Sequence, residues 1–317
     1  MRPTLLEANG ALLFAAMGCA VLQIVRILLP AQWSLMEAAP LWDALQGALL
    51  IGLGLRLCAR IKPSARERML RLESSPTIAQ AVLCIVAIAA GVLFKDDLTL
   101  LTGACMQRLG FDVSRQIAAG SEAPRELYAL RVVLSGVVPA VACGIFYHAG
   151  QMAAWERRGT RYAVMTTAVL SALMCGSCVM LPAHLAIALA SGAVMTGTGS
   201  IFMAVFLQAG VFVAGTAARQ AQAGFGMSAA RYGRLWAEVG GREGAGLLAL
   251  ETLLLGLVFY FLIRGVCGAR PADSVPWKMR NARSRQMGAA NIFVLSAAVV
   301  TGLCILGLDL MQMAGLL

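Results

Sequence analysis

Apolar residues in this chain come in long unbroken stretches, and its charged residues are gathered into short clusters between them. The run AVLCIVAIAAGVLF at 81–94 is typical. It has none of the period-two alternation of a lipid-facing β-barrel strand. Each stretch is about long enough to cross a hydrocarbon layer of ~30 Å as a helix. A backbone in lipid must pair its own N–H and C=O groups, which a helix does within the segment. The pattern predicts an all-α fold: a polytopic transmembrane helix bundle of about eight spans, with short basic connectors and one or two interfacial helices. The spans fall at roughly 10–30, 41–59, 78–94, 128–148, 163–183, 187–214, 244–266 and 291–315, so residues 1–317 form a single integral membrane domain.

Composition supports this reading. Of 317 residues, 59% are hydrophobic and 13% charged, and mean hydropathy is +0.76. A soluble domain carries roughly 25% charged residues. Trp33, Trp42, Trp155, Trp236 and Trp277 all fall in connectors or at span edges, where amphipathic rings prefer the headgroup layer. Arg2 precedes an apolar run, but no small-residue cleavage site followed by a polar start appears, so the first span is expected to be retained. The net charge of +10 lies beside the spans, which points to a lipid bilayer with anionic headgroups as the partner and not to nucleic acid. Short connectors fit a prokaryotic cytoplasmic (inner) membrane.

The connectors raise a conflict. Counting Lys and Arg, the loops 60–77, 149–162 and 215–243 are basic and belong on the cytoplasmic side together with both termini. The connectors 31–40 and 184–186 lack Lys and Arg and fall outside. With eight spans the stretch 268–289 also falls outside, although it carries Arg270, Lys278, Arg280, Arg283 and Arg285. Residues 98–117 mix apolar positions with Arg108, Asp112 and Arg115, as an interfacial helix or a folded loop would. The Gly-punctuated basic stretch 225–243 is a headgroup-binding segment or a docking site for a soluble partner subunit, within the larger connector 215–243.

Buried charge is the scarcest feature and the most informative, because an ionisable group in a span must be paired, protonated or facing water. Asp309 stands in LGLDLMQM near the end of the last span. Arg56 and Glu251 lie one or two turns inside theirs, and an Arg56–Asp309 pair with Glu251 as a second acid is one arrangement that would bind an ion or relay a proton. The simpler alternatives are snorkelling for Arg56 and an interfacial helix start for Glu251. The pair Asp96–Asp97 is expected at a span end, in water.

Thr196 and Thr198 sit in the Gly-rich TGTGS run at 196–200, where local unwinding would expose hydroxyl and carbonyl oxygens to an ion. Close helix packing through small residues competes with that reading. Pro139 predicts a kink in the fourth span. Cys175-Gly176-Ser177-Cys178 and His184 form the most specific local pattern. Two thiols one helical turn apart with a nearby imidazole suit a soft metal ion or disulfide exchange, while small apolar packing is the simpler account of them. His148 and His184 are the only histidines, and eight spans place them at opposite faces, which disfavours a bis-histidine haem.

No nucleotide-binding loop, serine-nucleophile elbow or HExxH zinc motif occurs, so the chain is not expected to be catalytic on its own. No cofactor is evident; a soft metal ion or a quinone are the two that its residues suit. The architecture without a soluble domain points to a membrane transport protein, either a carrier or the membrane subunit of a multi-chain transporter. The alternative is a quinone-interacting anchor subunit of a respiratory redox complex.

Overall fold

Helix starts are written locally. Thr4 and Glu7 exchange backbone and side-chain hydrogen bonds at the start of the first helix, and Thr77 and Gln80 do the same at the start of the third, each satisfying N–H groups that a first turn leaves unpaired. The computed structural model describes residues 4–28, 39–60, 76–113, 128–224, 242–269 and 288–316. Among them are nine helices and no strand. They are α1 (Leu5–Leu28), α2 (Ala39–Ala59), α3 (Ile78–Arg108), α4 (from Tyr128 to Trp155), α5 (Thr160–Leu173), α6 (Leu181–Thr198), α7 (Ile201–Gly224), α8 (Arg242–Gly268) and α9 (Ala289–Met313). Seven segments are long and apolar enough to cross a membrane, while α5 and the apolar part of α7, Ile201–Gly215, are shorter. The chain is an all-α polytopic membrane bundle. Large apolar side chains such as Phe14, Leu28, Phe261 and Phe293 are well exposed, as residues solvated by lipid must be.

The helix ends fall into two groups. On the face where α1 begins, here called proximal, Gln151 of α4 donates to the Ala8 carbonyl (2.7 Å), and Thr77 of α3 donates to that of Ala269, just after α8. Asn9 of α1 also meets Asn291 of α9 there. On the distal face Gln46 of α2 donates to the Met174 carbonyl after α5, and the Asp112 N–H donates to the Met313 carbonyl of α9. Successive helices therefore run in opposite directions from α1 to α9.

Three sequence expectations change here. The span expected over 187–214 is two antiparallel helices, α6 and α7, because Gly199 turns the chain with φ +73°, a conformation glycine adopts without steric cost. The turn expected at 184–186 lies inside α6, and the break falls at 174–180 instead. Residues 98–108 do not form a separate interfacial helix but continue α3, with the Thr99 and Thr102 hydroxyls donating to the carbonyls of Lys95 and Leu98 (2.8 Å each). The segments 114–117 and 225–241, and with them most of the expected docking connector 215–243, lie outside the described residues.

Close packing comes from small residues. Gly47 and Gly54 of α2 abut Val138 and the Phe146 backbone of α4, and Gly91 and Gly256 make room for Phe259 and Phe94, whose rings stack between α3 and α8 (5.9 Å). Around Pro139, α4 is not a uniform α-helix. The turns Val132–Val137 and Gly144–Gln151 widen to π-helical register on either side of Val138–Cys143. Proline has no N–H to donate and crowds the preceding turn, and π turns are one way a helix absorbs that defect.

Candidate functional site

Lys95, Asp96 and Asp97 stand in mid-helix on α3. Lys95 and Asp97 are buried, and the Lys95 ammonium lies 3.3 Å from the Asp96 carboxylate. The expectation of a solvated acidic pair at a span end is overturned, because α3 runs eleven residues past Asp97. Two further elements close over the ammonium. Gly215 of α7 is so near that a Cβ there would sit 2.9 Å from Nζ, and the Phe212 ring lies 5.6 Å from it, within cation–π range. His184 of α6 meets the other side of this region, edge-on to Phe212 at 4.9 Å.

The same stripe of α7 carries Gln208, one turn from Phe212. Its side-chain oxygen is 3.0 Å from His148 Nε2 on the π-helical turn of α4. The histidines expected at opposite faces thus both pack against α7, His148 at Gln208 and His184 at Phe212, positions one turn apart on that helix. The reason is the break at 174–180, which starts α6 below the distal face. On the same π turn Tyr147, His148 and Gln151 are all buried, and the Tyr147 hydroxyl, His148 Nδ1 and Gln151 Oε1 have no hydrogen-bond partner among the described residues.

Below the distal face lies the non-helical segment 174–180. Gly176 takes φ +71° there, so Cys175 and Cys178 do not share a helix face as their spacing suggested. Asp309 is buried and accepts the Cys178 backbone N–H (2.8 Å). The Cys178 thiol donates to the Leu306 carbonyl and that of Cys175 to the Ser177 carbonyl. Asp309 lies four residues before the end of α9, so this irregular backbone sits about 6 Å inside that end. Non-helical backbone at such depth is tolerated only where protein or a water-filled cavity surrounds it.

The remaining sequence candidates separate. Arg56 is exposed at the proximal end of α2, whereas Asp309 is near the distal end of α9, so they form no pair. Glu251 is exposed among Leu247, Leu250 and Leu254 on the outer side of α8. The Thr196 and Thr198 hydroxyls donate to Ala193 and Val194 of their own helix, and a Cβ on Gly197 would collide with Cys267. Here the TGTGS run serves tight packing of α6 on α8. Among the described residues no three His, Cys, Asp or Glu side chains converge as a metal cage, so Cys175, Cys178 and His184 are not gathered.

Missed by sequence reasoning were Lys95 and Asp97, the His148–Gln208 pair, and Asp43 of α2, which faces Ser135 of α4 with Arg26 of α1 in electrostatic reach. The signal for Lys95 was present in the apolar run LTLLTGAC that follows Asp97. Comparison with known proteins yields no family model, no curated protein and no solved structure that matches this chain.

Proposed function

We propose that the chain is a membrane transport protein, a carrier or the membrane subunit of a larger transporter, moving a small solute or ion through the interior of the bundle. The observation that carries this reading is buried Lys95 in the middle of α3, paired with the partly exposed Asp96 and covered by α6 and α7. Ionisable groups in a span are costly to keep there and commonly mark ion or substrate paths. The non-helical segment 174–180 above it and the unpartnered polar atoms of the π turn below it supply polar contacts toward the two faces.

Orientation follows from the alternation of helices. It brings the connectors 60–77 and 270–287 to one face, together with Arg157, Arg158 and Arg161, so that the basic loop at odds with eight spans falls with the others. Basic residues flanking the proximal helix ends outnumber those flanking the distal ends. By the positive-inside bias the proximal face is cytoplasmic, and in this reading the membrane is a prokaryotic inner membrane.

The test is flux in proteoliposomes, with a panel of inorganic ions, small carboxylates and small amines. The wild type is expected to move at least one class faster than protein-free vesicles, and Lys95→Met to reduce that flux at least tenfold while remaining monodisperse in detergent. Wild-type flux no faster than empty vesicles across the panel, or undiminished flux in Lys95→Met, refutes the reading.

A further inference from the structure

We propose that the carried solute is a soft monovalent cation of the Cu(I) type, passed inward from the distal face along a track of sulfur atoms; the proposal rests on the carrier reading. The track begins at Met313 of α9, buried against Val179, with Cys178 packed on the same cluster. Cys175 follows three residues before Cys178, its thiol 3.2 Å from the Ser177 carbonyl. Met174 continues into the cluster that contains Cys19 of α1 and borders Cys143 of α4. Cys19 and Tyr147 are buried in that cluster and Cys143 packs against it. Six sulfur atoms from α1, α4, α9 and the 174–180 segment thus lead from the distal face to the unpartnered Tyr147 hydroxyl in the bundle interior.

Sulfur is a poor substitute for water around a hard ion such as Na⁺ or Mg²⁺, and a good one around a soft ion. A zinc centre normally takes four ligands in a closed tetrahedron, and the described residues offer no group of three His, Cys, Asp or Glu. Cu(I) accepts two thiolates in line or a thiolate with a thioether, so it can move between neighbouring pairs without a cage. Binding exchanges the thiol proton for the metal, the S–H bond giving way to an S–Cu bond with no change in oxidation state. The Asp309 carboxylate, whose oxygen already accepts the Cys178 N–H, stands where that proton leaves.

The experiment titrates the reduced, detergent-purified full chain with Cu(I) in competition with a coloured bicinchoninate chelator. The wild type is expected to withdraw Cu(I) from the chelator, and Cys175→Ser combined with Cys178→Ser to weaken that binding at least tenfold. Cys304→Ser, at an exposed position on α9 away from the track, is expected to bind as the wild type does. Cys19→Ala is a second, separate variant that should weaken binding while leaving the distal segment untouched. Failure of the wild type to compete, equal binding by the double variant, or equal affinity for Zn²⁺ overturns the proposal. Another solute crossing vesicles while Cu(I) fails to bind sinks the substrate assignment alone. Cu(I) binding without any flux sinks the carrier reading and leaves the site.

Discussion

The Asp309 carboxylate accepts the backbone N–H of Cys178 at 2.8 Å, tying the last helix to an irregular segment that follows α5. Asp309 is buried and Cys178 half-buried, so removing the acceptor leaves a partly shielded donor unpaired, at a cost of about 1 kcal/mol. Asp309→Ala is expected to lower the thermal midpoint in detergent by several degrees. Asp309→Asn keeps a carbonyl oxygen in place and should retain most of the lost stability. An alanine variant that melts with the wild type would mean the segment holds its shape without this bond.

Packing of α6 on α8 makes a sharper test of the glycines. A Cβ on Gly197 meets the Cys267 thiol and comes within 3.3 Å of the Cys267 Cα, and backbone cannot swing aside as a side-chain tip can. Gly197→Val should destabilise by about 1–3 kcal/mol, the usual range for overpacking. Gly246 of α8 has nothing within 4 Å of a Cβ, so Gly246→Ala should raise the midpoint slightly through helix propensity. Equal effects at the two sites would show that the α6–α8 contact is looser than the structure indicates.

These glycines also show where sequence reasoning reached and where it stopped. The bundle itself was legible, because continuous apolar runs have only one economical structure in lipid. Which small residues unwind a helix was not. Thr196–Ser200 and Cys175–Cys178 read alike as small and polar, yet Thr196 and Thr198 back-bond to their own helix while 174–180 leaves helical geometry altogether. The difference lies in neighbours far along the chain: Cys267 against Gly197, and Asp309 and Gln46 holding the other segment. Lys95 was hidden for a related reason. A charged triplet in mid-run looks like a span end until α6 and α7 are known to cover it.

Alternation of the helices makes a prediction about sidedness. An epitope tag inserted after Lys62 and one after Lys278 should become accessible to protease from the same side of the membrane. A tag after Arg231 should respond from the opposite side. Eight spans with 215–243 and 60–77 on one side would put the Lys62 and Arg231 tags together and the Lys278 tag apart, so a single protection experiment in oriented vesicles separates the two arrangements.

The Lys95–Asp96 pair allows structural and transport roles to be told apart. Lys95→Met preserves the apolar stem but removes the ammonium that stands 3.3 Å from the Asp96 carboxylate. Breaking a fully buried pair costs about 3–5 kcal/mol; here the cost should be smaller, since the Asp96 side chain keeps 21% of its exposure. Adding Asp96→Asn removes the acid that Lys95 had balanced, so the double variant should recover part of the lost thermal stability. Transport should not recover with it, because the solute path still lacks both charges. A stable double variant with wild-type flux would mean that the pair only fastens α3 in place, and the route through the bundle would need another origin for its polarity.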